Sequence, residues 1–218
     1  MMGMLKLVIF DLDGTLMDAY RAVWLSINYS LKKMGFPPKD HQIVKRSVGW
    51  GDVRLLRGFV GEENLKRALK IYRQHHAKAL KQGTKLLPGA KSVLRFLKKR
   101  GFRLAVASNR PTRFSLIALK ALKIRDYFDL VICADKVKRG KPYPDIFQEI
   151  LCRLSVKPKE ALYVGDMVID VVAGKKARIR TVIVLTGSSR REEVSVLKPY
   201  RIMKSLMELP KVVAGLNS

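Results

Sequence analysis

The stretch VIFDLDGTLMD, Val8 to Asp18, runs from three apolar residues straight into two aspartates spaced two apart, Asp11 and Asp13, followed by Gly14 and Thr15. A short apolar run that ends at a turn signal reads as a strand buried on both faces. Four further runs of the same kind follow along the chain: RLAVAS (103–108), DLVICA (129–134), ALYVGD (161–166) and TVIVLT (181–186). They alternate with segments of helical period. Ile146, Phe147, Ile150, Leu151 and Leu154 fall on one helix face, and KSVLRFLKKRG ends at a glycine stop. Strands alternating with helices predict an α/β fold, a doubly wound parallel sheet.

The interval between the first and second strands is far longer than a crossover helix needs, so it must hold a unit of its own. Within it Val23, Ile27, Leu31 and Met34 step at helical spacing, GFPP breaks the chain, and EENLKRALKIYRQHHAKAL reads as another helix. This predicts a helical insertion over 19–85. Residues 1–18 and 86–218 then form the α/β core, with Pro88 and Gly89 marking the return to it.

In a doubly wound sheet, ligands collect outside the carboxyl ends of the strands. Here those ends are polar: Asp11, Asp13 and Thr15 after the first strand, Ser108 and Asn109 after the second, Lys141 after the third, Asp166 and Asp170 after the fourth. Taken singly, an aspartate such as Asp18 or Asp145 reads as a turn or helix cap. Several carboxylates gathered in one crevice repel one another unless a cation sits among them. An all-oxygen set of few carboxylates suits a hard divalent ion and points to Mg²⁺.

Composition narrows the classes. With 48% hydrophobic residues in 218, the chain can fill one core or a core with an insertion. No run is long enough to span a membrane, and the apolar start at Leu5 to Phe10 is too short for a secretory signal, so the expectation is a soluble, cytoplasmic protein. The two cysteines, Cys133 and Cys152, exclude a disulfide framework and read as buried small hydrophobes. His75 and His76, adjacent on a helix, point in different directions and make a poor metal pair. The net charge of +26 admits a nucleic-acid partner but does not favour one, because the basic residues are spread along the chain outside any recognisable module. A solvated basic surface that steers an anionic substrate is the preferred reading. Nothing in the sequence gives an oligomeric state.

DLDGT, ASN, GKPYPDIF and VGDMVID, in this order, resemble the four motifs of the haloacid dehalogenase-like (HAD) hydrolase superfamily, and the helical insertion resembles its α-helical cap. The resemblance implies a Rossmann-like core and Mg²⁺-dependent hydrolysis of a phosphate monoester through an aspartyl phosphate. It makes Asp11 the nucleophile, Asp13 the acid and base, and Lys141 the cation that neutralises nucleophile and phosphoryl group. It assigns Thr15, Ser108 and Asn109 to the phosphoryl group, with Asn109 also steadying the aspartate. Asp11, Asp13 through its carbonyl, and Asp166 would hold Mg²⁺, with Asp170 acting through water or as a supporting acceptor. SVGWGDVRLL, residues 47–56, resembles the cap loop of phosphoglycolate phosphatases: Gly49 and Gly51 would bring the loop to the core, and Trp50 or Arg54 would close over the substrate. The expected substrate is a small phosphorylated metabolite, 2-phosphoglycolate first. The alternatives are a phosphosugar phosphatase, a phosphoglucomutase-like mutase, or a nucleic-acid-associated phosphatase or binding protein. DGT where mutases commonly carry DGV leans toward hydrolysis. An arginine should meet a substrate carboxylate, but the sequence does not say which.

Overall fold

The computed structural model describes residues 4–216. In chain order the main elements are β1 (Leu7–Phe10), β2 (Met17–Asp18), α1 (Tyr20–Lys33), α2 (His41–Ser47), α3 (Asp52–Gly83), β3 (Lys85–Leu86), α4 (Ala90–Lys99), β4 (Arg103–Ser108), α5 (Thr112–Ala121), β5 (Leu130–Cys133), α6 (Asp145–Arg153), β6 (Ala161–Gly165), α7 (Val168–Lys176), β7 (Arg180–Val184), α8 (Arg191–Ser195), β8 (Arg201–Met203) and α9 (Leu209–Leu216). Six strands form one parallel sheet in the order β5-β4-β1-β6-β7-β8, so β1 lies inside it and the direction of winding changes beside it. The five apolar runs are five of these strands. The sixth, RIM, is too short and too exposed to stand out by pattern.

Strand alternation explains why β1 is apolar throughout. Val8 and Phe10 enter a cluster with Val93, Leu94, Leu97, Leu119 and Val213 on one side of the sheet. Leu7 and Ile9 enter a second with Ile146, Phe147, Ile150 and Ala173 on the other. Because neighbouring side chains point to opposite faces, a strand between two helical layers has no solvent face on which to place a polar residue. Cys133 is buried as expected, but Cys152 on α6 is exposed, against the expectation. Its position falls on the solvent side of a helix whose inner face is taken by Ile146, Phe147, Ile150 and Leu151.

Helices α1 to α3 have a cluster of their own. Val23, Ile27 and Leu31 of α1 pack against Val44 and Val48 and against Leu55, Leu56, Val60, Leu65, Ala68 and Tyr72 of α3. Gly61 breaks α3 with φ 77° and ψ 176°, which lets its two halves lie on α1 at different angles. The chain leaves and re-enters the sheet region through β2 and β3, which pair antiparallel, Met17 opposite Leu86. This pairing was not legible as strand pattern, since a two-residue ladder carries no periodicity. Among the described residues no helix is long and apolar enough to cross a membrane.

Candidate active site

The carboxyl ends of β1, β4 and β6, the loop before α6 and the start of α7 converge on one crevice, roofed by the 47–51 loop and α3. Asp11, Ser108, Asp166 and Lys141 are all buried there. Carboxylate oxygens of Asp11, Asp166 and Asp170 lie within 4.8 Å of one another. Lys141 Nζ stands 3.0 Å from Asp11 and 2.8 Å from Asp170, and donates to Tyr163 Oη at 2.8 Å. Burial opposes the charge of this ammonium, but Asp11 and Asp170 outweigh it and hold its pKa above the ordinary range. Three carboxylates against one ammonium leave two negative charges in a dry pocket. Accordingly burial, with Asp170 adding repulsion, pushes Asp11 up to about 7 despite Lys141, and burial with Asp170 and Asp11 pushes Asp166 well above its usual value. An oxygen-lined cluster short of two positive charges fits a divalent cation. Asp11 and Asp166 are the side chains suited to hold it.

Asp170 is already fully engaged. One oxygen accepts from Lys141 and from Tyr163 Oη at 2.7 Å, the other from the amides of Asp166 at 3.0 Å and Met167 at 2.9 Å. It fixes the turn that presents Asp166, as the partners of metal ligands commonly do.

The geometry gives several of these side chains partners within the protein. Thr15 is wholly buried, and its hydroxyl donates to Asp166 Oδ1 at 3.2 Å. The cause is the turn at Gly14, φ 78°, which folds Thr15 beneath the Asp166 loop. A Cβ on Gly14 would stand 2.6 Å from Asp166 Oδ2 and 2.7 Å from Gly187 Cα, so the turn needs glycine for space as well as for φ. Asn109 also has no donor left for an anion. Its amide hydrogens go to the carbonyls of Gly49 at 3.0 Å and Lys141 at 2.8 Å, and its oxygen accepts from the Lys141 amide at 2.7 Å. Asn109 therefore ties the roof loop and the lysine loop to β4. Ser108 remains at the cavity wall, accepting from the Arg110 amide at 3.2 Å, with its hydroxyl hydrogen free for an anion.

The roof loop sits close, as its glycines suggested: Gly49 (φ 112°) lies against Met167, and Gly51 (φ 85°) against Asn109. Trp50 and Arg54, however, do not close over the cavity. They stack on each other, 3.8 Å from guanidinium to ring centroid, in an outer groove beside Gly140, Pro142 and Tyr143. Positions 50 and 54 lie four apart on the outer side of the α3 start, whereas Asp52 and Leu55 face inward and line the cavity.

Three residues of the site escaped sequence reading. Arg110, the residue after ASN, grips Asp13 with both arms of its guanidinium: Nη2 lies 2.6 Å from each carboxylate oxygen and Nε 3.0 Å from Oδ2. His76 of α3 lies 2.8 Å from Arg110 Nη1 and is held neutral by burial and by the nearby guanidinium. Tyr20 is buried beside Asp166, Asp13 and Asp11, and that burial and charge push its phenol far up. Adjacency to ASN was the one signal available for Arg110. For His76 and Tyr20 there was none, since both read as ordinary helix residues. The cavity these residues enclose holds about 40 Å³.

Residues 8–184 match the family described as haloacid dehalogenase-like hydrolase. A phosphoglycolate phosphatase of Nitrosospira multiformis is 30% identical over 217 residues, covering 96% of each chain. Another from Aquifex aeolicus is 30% identical over 204 residues, covering 92% of this chain and 96% of its own. Among solved structures, a predicted phosphoglycolate phosphatase from Haemophilus somnus superposes with a TM-score of 0.92 at 27% identity, covering 97% of this chain and 99% of its own.

Proposed function

The chain belongs to the haloacid dehalogenase-like hydrolases and is a phosphatase of that family, and from that premise we propose that it hydrolyses a small phosphate monoester on Asp11, with 2-phosphoglycolate as first substrate. The observation that carries this reading is the Lys141 ammonium, 3.0 Å from Asp11 inside a buried trio of carboxylates.

In this reading Asp11 Oδ attacks phosphorus, forming an aspartyl phosphate as the bond to the leaving oxygen breaks. Asp13 lines the same cavity as Asp11; it gives the leaving oxygen its proton and takes one from the water that cleaves the intermediate. Lys141 balances the charge of Asp11 and of the phosphoryl oxygens, and the Ser108 hydroxyl binds one of those oxygens. Mg²⁺, held by Asp11 and Asp166, would supply the positive charge the cluster lacks and neutralise charge on the transferring group. Asp170 keeps Lys141 and the Asp166 turn in register. Residues 19–85 serve as the cap over this chemistry, and 1–18 with 86–218 as the core that performs it. The cap's roof loop and α3 line the cavity from above.

The test is phosphate release from a panel of 2-phosphoglycolate, hexose phosphates, nucleotides and 5′-phosphorylated oligonucleotides, with Mg²⁺ and with chelator. Metal-dependent turnover that Asp11→Asn abolishes, with the fold intact, is the expected result. Near wild-type release by Asp11→Asn would remove Asp11 as nucleophile. Preference for a hexose phosphate or an oligonucleotide would replace the substrate.

A further inference from the structure

The Arg110 guanidinium is the one lysine or arginine side chain lining the cavity among the described residues, and it is more rigidly held than an ion pair requires. Its arms toward Asp13 form a bidentate fork, and the side chains of both partners are nearly buried, 7% and 12% exposed. Its remaining arm donates to His76 Nε2, which must therefore be the unprotonated ring nitrogen. The hydrogen on Nδ1 then goes to Ser26 Oγ at 3.0 Å, and the Ser26 hydroxyl goes to the Ala22 carbonyl at 2.8 Å. Tyr72 stacks on the imidazole at 4.6 Å and Phe114 meets it edge-on at 5.1 Å. A chain of donors thus fixes the guanidinium from α1 and α3, pointing its carboxylate-shaped fork into the cavity.

As found, this fork occupies the residue that must act as acid. Both Asp13 oxygens accept from Arg110, so the carboxylate is not free to meet a leaving oxygen. With Nη1 taken by His76, a substrate anion can take the fork only if Asp13 leaves it. A neutral hydroxyl offers no adequate replacement for a buried bidentate carboxylate. Another carboxylate does.

Resting on the phosphatase reading of the same site, we propose that Arg110 is both reader and gate: it binds a carboxylate on the leaving-group half of the substrate, which takes the place of Asp13 and releases it for proton transfer. The substrate class is a phosphate monoester whose alcohol carries a carboxylate one carbon from the ester oxygen, close enough to span from Asp13 to the guanidinium. After the exchange the freed Asp13 carboxylate takes up a proton from solvent; Asp11 Oδ then bonds to phosphorus, the bond to the leaving oxygen breaks, and that oxygen takes the proton from Asp13. Water attacks phosphorus, returns a proton to Asp13 and frees Asp11, and Asp13 gives that proton back to solvent as it returns to Arg110. The sum is ester plus water giving hydroxy acid plus phosphate.

The experiment compares 2-phosphoglycolate with 2-hydroxyethyl phosphate, which has CH₂OH where the former has the carboxylate, on the full chain with Mg²⁺. Wild type is expected to favour 2-phosphoglycolate by about 100-fold in kcat/KM, the scale of a charge-assisted fork in a dry site. Arg110→Gln should collapse that ratio to within about threefold, with the loss falling on kcat as well as KM because Asp13 is no longer released by the substrate. Arg110→Lys should restore only part of it, a point charge lacking the fork. A wild-type ratio near one, or an Arg110→Gln variant that slows both esters equally, overturns the proposal while leaving the phosphatase reading in place. No release from either ester, nor from any of the wider panel, overturns both. Should Arg110→Gln fail to fold, wild type decides alone: glycolate should inhibit competitively where ethylene glycol at equal concentration does not, and equal inhibition refutes the gate.

Discussion

Replacing Lys141 with Met removes the ammonium from its cluster and leaves an apolar side chain one atom shorter. The wild-type lysine sits 3.0 Å from Asp11 and 2.8 Å from Asp170. At an effective dielectric near 20, each contact is worth about 5–6 kcal/mol of Coulomb attraction. Desolvation of the buried ions cancels most of that sum, so the measurable loss on breaking a buried pair is about 3–5 kcal/mol. For a chain of this length the loss lowers Tm by roughly 6–20 °C, read by differential scanning fluorimetry in chelator. The orphaned carboxylates also bind cations more avidly, so Mg²⁺ should raise the Tm of Lys141→Met by more than that of wild type. Phosphate release should fall at least ~100-fold, the scale for losing a positioned charge at a reacting oxygen. A variant that melts within about 2 °C of wild type in chelator would refute the reasoning. So would one that gains no more from Mg²⁺ than wild type does.

Gly14→Ala should destabilise by about 2–4 kcal/mol, from its positive φ and the crowding against Asp166 and Gly187. Gly35→Ala, with the nearly identical φ of 77° but open space around it, should cost only about 1 kcal/mol, and urea melts of the two variants separate strain from collision. Arg46 of α2 pairs with Glu193 of α8 at 2.5 Å, with both side chains partly exposed, and also meets the Ser188 carbonyl. Arg46→Ala should therefore change stability by under about 1 kcal/mol, as checked by melting. Burial, and then Arg110 and His75, hold His76 neutral in the fold, whereas the unfolded chain protonates it below pH ~6.5. The unfolded state thus binds the extra proton in acid, and the contribution of His76 to stability falls with pH by up to about 1.4 kcal/mol per unit below that point. The stability difference between wild type and His76→Gln should shrink from pH 7.5 to 5.5; a constant difference would mean that His76 is not buried neutral.

The sequence by itself determined the layered α/β architecture, because a strand between two helical layers must be apolar on both sides and a helix on a sheet must be apolar on one. Leu7 to Phe10 and Ile146 to Leu151 carry those periods locally, with no knowledge of their partners. It also determined which carboxylates meet. Asp11, Asp166 and the lysine at 141 each follow an apolar run or its loop, and a parallel sheet brings all such ends to one edge. Where each side chain points was decided only by the tertiary structure. Thr15 turned under Asp166 because of one positive φ at Gly14, Asn109 was drawn onto two backbones, and Trp50 of the roof loop stacked on Arg54 of α3 away from the cavity. The pairing that governs the proposed gate joins Asp13 to Arg110 across 97 residues and Arg110 to His76 across 34. Contacts at such separations leave no period in the chain. They exist because the closed fold leaves a buried guanidinium only a carboxylate and a neutral ring nitrogen to satisfy it.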